Sequence, residues 1–315
     1  MITTVTLNAS VDKLYIVENV RLDTVMRVKQ VSNTAGGKGL NVAKVAAMAG
    51  EKVRAVGFLG GFNGEYVRAL LREQGIEDDF TDIAGETRSC INIRDLSTGG
   101  HTEFLEPGTR VAQEHLRHFM ERYREALKDS DVVTISGSVP AGVPEAFYGE
   151  LVDLAERAGR PVVLDTSGAL LKEALKGKPT MVKPNSDEIA QLLGKTEYTR
   201  QEVLQEACRM HREGIRYVVV SLGKEGSLLV CGEGVFRGEP PEIEPVNTVG
   251  CGDSMVAALA IGLARHMPPE EMLAFATAIS AANALRIQTG YYEQEDLEAI
   301  WPKVKVTRLG SQEDF

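Results

Sequence analysis

From Gln113 onward the chain alternates apolar, β-branched runs with stretches of helical periodicity. That alternation restricts the fold more than any other feature. Helix-patterned Gln113 to Leu127 precedes the strand run Val132 to Ser136. A helix with Pro144 in its first turn, ending near Gly159, leads to Pro161 to Leu164, and helix Ala169 to Leu175 leads to Thr180 to Val182. Helix Ser186 to Leu193 follows, then a helix opened by a Thr199/Glu202 capping box and running to Glu213, then strand Tyr217 to Leu222. Strands separated by helices become parallel neighbours joined by crossovers. The expected fold is therefore α/β in three layers, a mostly parallel central sheet with helices on both faces.

The first hundred residues fit this scheme in part. Ile2 to Leu7 and Val53 to Leu59 read as buried strands. A helix opens after Thr34-Ala35-Gly36-Gly37-Lys38-Gly39-Leu40-Asn41 and runs to Met48, with Gly50 beyond its end; Asn63 is placed to cap a helix from Gly64 to Gln74, closed by Gly75. Two patches break the alternation. One holds short strands at Tyr15 to Val20 and Met26 to Ser32; the other holds Cys90 to Leu96, a Gly99-Gly100 turn and His101 to Leu105. They are expected to form a small β-sheet lid, inserted at about residues 12–34 and 88–108 of one domain spanning 1–315. After Tyr217 to Leu222 come a hairpin from Gly226 to Arg237, a β-like run from Pro240 to Val246, two apolar helices, and a short helix from Gln294 to Ile300. The tail from Gly310 to Phe315 is expected to fray.

In open α/β sheets ligands collect beyond the carboxyl ends of the strands. Those ends carry Asn8/Asp12, Ser136-Gly137-Ser138, Asp165-Thr166-Ser167, Lys183-Pro184-Asn185 and Ser221-Leu222-Gly223, so polar and glycine-rich chemistry recurs along one edge. The net charge of −10 and the lack of a basic cluster argue against nucleic acid or an anionic membrane as partner, and any phosphate-binding charge must be local. Cys90, Cys208, Cys231 and Cys251 form no metal-type spacing, no membrane-length apolar run is present, and the N-terminus enters a strand pattern directly. A reducing cytoplasm is the expectation.

Three stretches carry chemistry. Asn247-Thr248-Val249-Gly250-Cys251-Gly252-Asp253-Ser254-Met255 combines glycines, a helix start and one carboxylate, an anion cradle with Asp253 at its rim; read alone it is equally an ordinary capped turn. Gly36-Gly37-Lys38-Gly39-x-Asn41 lets backbone approach a ligand and adds a cation and an amide. It is neither a phosphate-binding Gly-Lys-Ser/Thr loop nor a dinucleotide fingerprint, because Val42 stands where a third glycine would. Asn185 and Glu188 lie one turn apart on a helix, a spacing that suits hydrated Mg²⁺ or, more blandly, a capped N-terminus. Cys251, at a helix start beside an anion site, is expected to have raised thiolate character.

Taken together, these blocks resemble the ribokinase-like sugar kinases of the phosphofructokinase B family. Gly36 to Ala43 resembles the first family signature, Thr248 to Ser254 the second, and Asn185-x-x-Glu188 the magnesium-associated motif. The blocks Thr6 to Asp12, Thr34 to Asn41, Gly85 to Cys90, Ser136 to Pro140 and Gln288 to Tyr291 are most similar to the tagatose-6-phosphate kinases, with the 1-phosphofructokinases similar through most of them. The resemblance implies ATP-dependent phosphorylation of the 1-hydroxyl of a ketohexose 6-phosphate, most closely tagatose 6-phosphate. The alternatives are a 1-phosphofructokinase, a 6-phosphofructokinase, and a sugar-phosphate-binding regulator on the same fold.

It also implies roles. Asp253 matches the catalytic base, and the backbone of Gly250, Cys251 and Gly252 matches the anion hole. Asp12, Gly37, Lys38, Asn41 and Ser138 fall in the sugar site, with Arg27 and Arg88 on the substrate's own phosphate. Lys183, Asn185, Ser221, Gly223, Gly226, Thr248 and Asn283 fall on the ATP side, and Asn185 and Glu188 on Mg²⁺. The family pattern leaves room for a monovalent cation and implies a homodimer joined through the lid. Cys251 departs from the Ala or Ser more usual there.

Overall fold

The computed structural model describes residues 1–315 and contains a large sheet and a small one. In spatial order the large sheet runs Lys305–Gly310, Gly234–Glu239, Ser227–Cys231, Tyr217–Ser221, Met181–Val182, Val162–Asp165, Val132–Ser136, Ile2–Thr6, Val53–Leu59 and Glu77–Asp78. Thr81–Asp82 also pairs with Val53–Leu59. Pairing is parallel from Glu77–Asp78 to Tyr217–Ser221 and antiparallel through the last three strands. Val, Ile and Leu dominate the parallel strands because both faces are covered. One face packs against helices Lys38–Met48, Cys251–Ala264 and Pro269–Ala284, the other against Gln113–Asp129, Phe147–Arg157 and Arg200–Arg212.

The strand order sets the position of the site. From Ile2–Thr6 the chain moves first to Val53–Leu59 on one side, then to Val132–Ser136 on the other. Connections thus diverge between Ile2–Thr6 and Val132–Ser136, and a crevice opens beyond their carboxyl ends. Helix Cys251–Ala264, buried on all sides from Asp253 to Gly262, points its N-terminus at that crevice. Its Ala- and Gly-rich sequence lets neighbouring helices close around it.

The small sheet has the order Gln30–Gly36, Ser10–Val17, Arg88–Asp95, His101–Leu105. Its central pair is parallel and its outer pairs are antiparallel. Its strands come from the two patches that broke the alternation. The first patch is shifted: its strands are Ser10–Val17 and Gln30–Gly36 rather than 15–20 and 26–32, because the polar Ser10, Asp12, Ser32 and Thr34 line a cleft and pair across the sheet instead of forming turns.

Other expectations are corrected. The run Pro240 to Val246 is not a strand: three prolines remove donors, and the segment is instead anchored where the Val246 and Asn247 N–H groups donate to Ala284 O at 2.8 and 3.1 Å. Helix Gly61–Glu73 starts before Asn63. Its free N–H groups at Phe62 and Asn63 donate to the Glu86 carboxylate, while Asn63 Nδ2 turns to Thr87 O. Pro144 precedes helix Phe147–Arg157 by a turn rather than opening it. The C-terminus adds a strand, Lys305–Gly310, on the sheet edge. Beyond it Asp314 accepts from Ser311 N–H at 2.7 Å and Phe315 packs on the core, so the tail is not frayed. No helix is long and apolar enough to cross a membrane.

Candidate active site

Gly250 begins the site. Its φ of 84° lies in the left-handed region, and a side chain there would meet Gly290 N and Thr289 Cγ2 at 2.7 Å. Only glycine fits both constraints. The turn lets Cys251 N–H donate to Thr248 O at 3.3 Å and Ser254 N–H to Gly250 O at 2.8 Å; the N–H groups of Gly250, Gly252 and Asp253 have no acceptor in the chain. Free N–H groups at the positive end of a buried helix form an anion cradle.

Asp253 sits in the first turn of that helix, 7% exposed. Its Oδ2 accepts from Asn41 Nδ2 at 2.7 Å, which leaves Oδ1 without a protein partner on the cleft side. Burial pushes its carboxyl from the ordinary 3.8 up to about 6, against the opposing pull of Lys38. Asn41 comes from helix Lys38–Met48, so the first and second signature blocks meet through this hydrogen bond.

Lys38 and Lys183 converge on one buried carboxylate. Lys38 Nζ lies 3.3 Å from Asp165 Oδ2, and Lys183 Nζ lies 3.3 Å from Asp165 Oδ1, the latter a charge contact without hydrogen-bond alignment. Burial alone would raise the Asp165 carboxyl, but the two ammonium groups hold it below its usual range. Asp165 in turn lifts Lys38 above the ordinary lysine range, so Lys38, 43% exposed at its side chain, remains a cation that faces the cleft. Asp165 is the residue that sequence reasoning left without a role. Its signal was its place at a strand end, followed by the polar Thr166 and Ser167; what no local pattern showed was that two lysines from separate elements share it.

Two cavities open here. A cleft of about 510 Å³ lies between the small sheet and the helix N-terminus and is lined by Asp12, Gly37, Lys38, Asn41, Arg88 and Asp253 among others. A second of about 220 Å³ adjoins it at Gly37, Lys38 and Arg88. Its ten lining residues include no hydrophobic one: Thr6, Asn8, Ser136, Gly137, Ser138, Thr166 and Ser167 complete it. Thr6 Oγ1 and Ser136 Oγ are buried there without partners. Arg88 is fixed on its rim by donating to Asn8 O at 2.9 and 3.1 Å and to Glu106 O at 2.9 Å, and Ser138 Oγ accepts from Asn8 Nδ2 at 3.2 Å.

The residues that the resemblance assigns to a nucleotide divide. Asn185 and Glu188 form a capping box: Asn185 Oδ1 accepts from Glu188 N–H at 2.8 Å, and Glu188 Oε2 accepts from Asn185 N–H at 2.9 Å. Glu188 Oε1 makes no hydrogen bond. Asn185 bridges Ser221 across the strand ends, where Gly223 and Gly226 form a tight turn and Thr248 is exposed on the neighbouring loop.

Asn283 lines neither of these cavities. It is fully buried, donating to Val249 O at 3.2 Å and Cys251 Sγ at 3.5 Å and accepting at Oδ1 from Ser254 Oγ at 2.9 Å and Tyr291 N–H at 3.2 Å. It braces the anion loop from behind, which accounts for Cys251: the sulfur is an acceptor in that brace. Burial pushes the Cys251 thiol up to about 11, which overturns the expectation of thiolate character; desolvation and the nearby Asp253 charge outweigh the helix end. Arg27 lies in the exposed segment between Ser10–Val17 and Gln30–Gly36 and does not reach the cleft of its own chain.

A three-layer α/β fold with a small sheet facing an anion loop defines the ribokinase-like class of sugar kinase. The model of the pfkB family of carbohydrate kinases matches residues 3–296, and the chain belongs to that family, which uses ATP. Among solved structures the chain resembles Escherichia coli phosphofructokinase-2 in complex with fructose 6-phosphate, at 28% identity and a TM-score of 0.86, with 96% of this chain and 98% of that one covered. A potassium complex and a tetrameric inhibited form of the same E. coli protein match at 29% and 30% identity, with a TM-score of 0.89 for each and the same coverage. A Thermotoga maritima protein named as a possible 1-phosphofructokinase matches at 28% identity and a TM-score of 0.85, covering 98% and 99% of the two chains. Ribokinase from Thermotoga maritima shares the fold at 22% identity and a TM-score of 0.78, covering 96% and 99%.

Proposed function

We propose that this kinase phosphorylates the 1-hydroxyl of a ketohexose 6-phosphate, with tagatose 6-phosphate as the preferred acceptor, and that Asp253 is its general base. The single observation that carries the phosphorylated acceptor is the second cavity. A wholly polar pocket with a fixed guanidinium and an ammonium on its rim is built for an anion rather than for a bare sugar ring. It joins the Asp253 cleft at Lys38 and Arg88, so one sugar phosphate can span both.

In this reading Asp12 and Asn41 orient the sugar hydroxyls, and the free Oδ1 of Asp253 receives the proton of the attacking one. The N–H groups of Gly250, Gly252 and Asp253, with Lys38, stabilise charge on the transferred phosphoryl group. Phosphoryl transfer is mostly positioning and charge neutralisation, so these fixed donors are well suited to it. A base at about pH 6 is ionised at neutral pH yet basic enough to take a proton late in the reaction.

Lys183, Asn185, Ser221, Gly223, Gly226 and Thr248 form the ATP side. Mg²⁺, when bound, would neutralise phosphate charge; Glu188 Oε1 and the Asn185 side-chain oxygen suit a hydrated Mg²⁺. The small sheet acts as a lid that excludes water.

The test is direct. The wild-type enzyme should phosphorylate a ketohexose 6-phosphate with kcat/KM at least about 100-fold above the unphosphorylated ketohexose, the value of one or two charge-assisted contacts. Equal turnover of both would remove the phosphate pocket from the account.

The lid also supports a homodimer. Val31 and Phe104 on its outer face, and Leu22 and Val25 in the adjoining loop, are all about half exposed or more, and the outer edge of its last strand, His101–Leu105, has no neighbouring strand. A lid-to-lid dimer covers these residues and gives the Arg27 loop a partner's cleft to reach. Sedimentation should give a dimer that Phe104→Asp weakens; a wild-type monomer at micromolar concentration would reject it.

A further inference from the structure

Lys44 is the buried ammonium that the chemistry above leaves unused. It sits on helix Lys38–Met48 three residues after Asn41, on the same face, and is 6% exposed. Its Nζ has one hydrogen bond, to Thr289 O at 3.3 Å. The charged groups that bear on it are Asp12 from the small sheet and Asp253 from the anion-loop helix; they hold its charge against the pull of burial, which lowers it below the ordinary lysine range. Burying an ammonium against a single carbonyl is costly, and an apolar residue of the same length would sit there more cheaply.

The carbonyl it holds belongs to the turn that joins the two halves of the site. Gly290, next in sequence, lies against helix Lys38–Met48 so closely that a side chain on it would meet Asn41 Cβ at 3.0 Å. The same turn touches Gly250 on its other side, since a side chain on Gly250 would meet Gly290 N at 2.7 Å. One residue further, Tyr291 N–H donates to Asn283, the brace of the anion loop. Helix Lys38–Met48, the 289–291 turn and the anion loop therefore form one stack. Within it the Lys44 ammonium is the polar tie between the helix and the turn.

We propose that Lys44 is a positioning residue for phosphoryl transfer: by tying helix Lys38–Met48 to the Thr289–Gly290 turn, it fixes the anion loop relative to Asn41 and Asp253. This rests on the reading of Asp253 and the Gly250 loop as the transfer centre. Lys44 itself lines neither cavity.

The test is Lys44→Met, which keeps the length and apolar stem and deletes the tie. Because it removes an under-paired buried charge, Tm should hold or rise. The kcat should fall at least about 10-fold, as expected when reacting groups lose their alignment, while KM for sugar phosphate and ATP stays within about three-fold. A kcat within two-fold of wild type overturns the proposal, and so does a rate loss matched by an equal loss of folded protein, which would mark Lys44 as purely structural.

Should Lys44→Met not fold, Gly290→Ala presses on the same turn from the Asn41 side and should give the same kcat-selective loss; an unchanged kcat there is equally contradictory. The centre itself is judged separately. If Asp253→Asn is inactive while Lys44→Met is normal, only the role of Lys44 falls. If Asp253→Asn is active, the underlying reading falls with it.

Discussion

Asp253→Asn should lower kcat by about 10²- to 10⁴-fold, the range typical of a positioned general base, while binding of ATP and of the sugar phosphate changes little. The substitution keeps the shape of the side chain and the contact with Asn41 and removes only the carboxylate proposed to accept the proton. A second, opposite effect accompanies it. Burial raises the Asp253 carboxyl from 3.8 to about 6, so folding disfavours its ionised form. The sign follows from linkage: the folded-state value is the higher one, so the penalty is absent below pH 3.8, grows between 3.8 and 6, and is full above 6. Its size is on the order of 3 kcal/mol, at 1.4 kcal/mol per unit. The Asn variant should therefore be more stable than wild type at pH 8, with a margin that shrinks toward pH 4. A slow but stabilised variant is what a catalytic carboxylate predicts. An inactive and destabilised one would mean that Asp253 is a structural residue.

Arg88→Ala should act on binding. The guanidinium sits at the junction of the two cavities, held by three hydrogen bonds to backbone carbonyls. Those carbonyls take three of its five N–H donors and leave its charge uncompensated by any carboxylate. A phosphate placed in the second cavity would supply that compensation. Loss of one such charge-assisted contact costs about 1.5–3 kcal/mol, or roughly 10- to 150-fold in KM for the phosphorylated sugar. The KM for ATP and the rate at saturation should change by less than about five-fold. Equal rises in KM for both substrates would indicate that the substitution loosens the Asn8 and Glu106 backbone instead.

What the sequence revealed and what it hid have a common cause. The parallel sheet was legible because buried strands and crossover helices are written locally, as at Val132–Ser136 and the Thr199/Glu202 capping box. The site edge was legible because strand ends such as Ser136 and Lys183 must be polar to serve a crevice. Asn185 and Glu188 illustrate a genuine degeneracy: the spacing that suits a metal is the spacing of a capping box, and the structure contains the box.

Long-range pairings were not legible. The sharing of Asp165 by Lys38 and Lys183, and the brace from Asn283 to Cys251, join residues tens to more than a hundred positions apart. Cys251 was misread for the same reason. Its local surroundings, a helix start, favour a thiolate, while its tertiary surroundings exclude water and place Asp253 nearby. The final strand Lys305–Gly310 escaped notice because an edge strand with one solvated face carries little apolar signal.

The central claim is that this chain moves the γ-phosphoryl group of ATP onto the 1-hydroxyl of a ketohexose 6-phosphate. Phosphorus NMR of the wild-type reaction, run in parallel with tagatose 6-phosphate, fructose 6-phosphate and fructose 1-phosphate, tests it most directly. The account predicts one new phosphomonoester at C1 for each ADP formed, with the 6-phosphates as acceptors and tagatose 6-phosphate consumed fastest. Inorganic phosphate released in step with ADP while every sugar stays unchanged, or transfer to the 6-hydroxyl of fructose 1-phosphate alone, would contradict it.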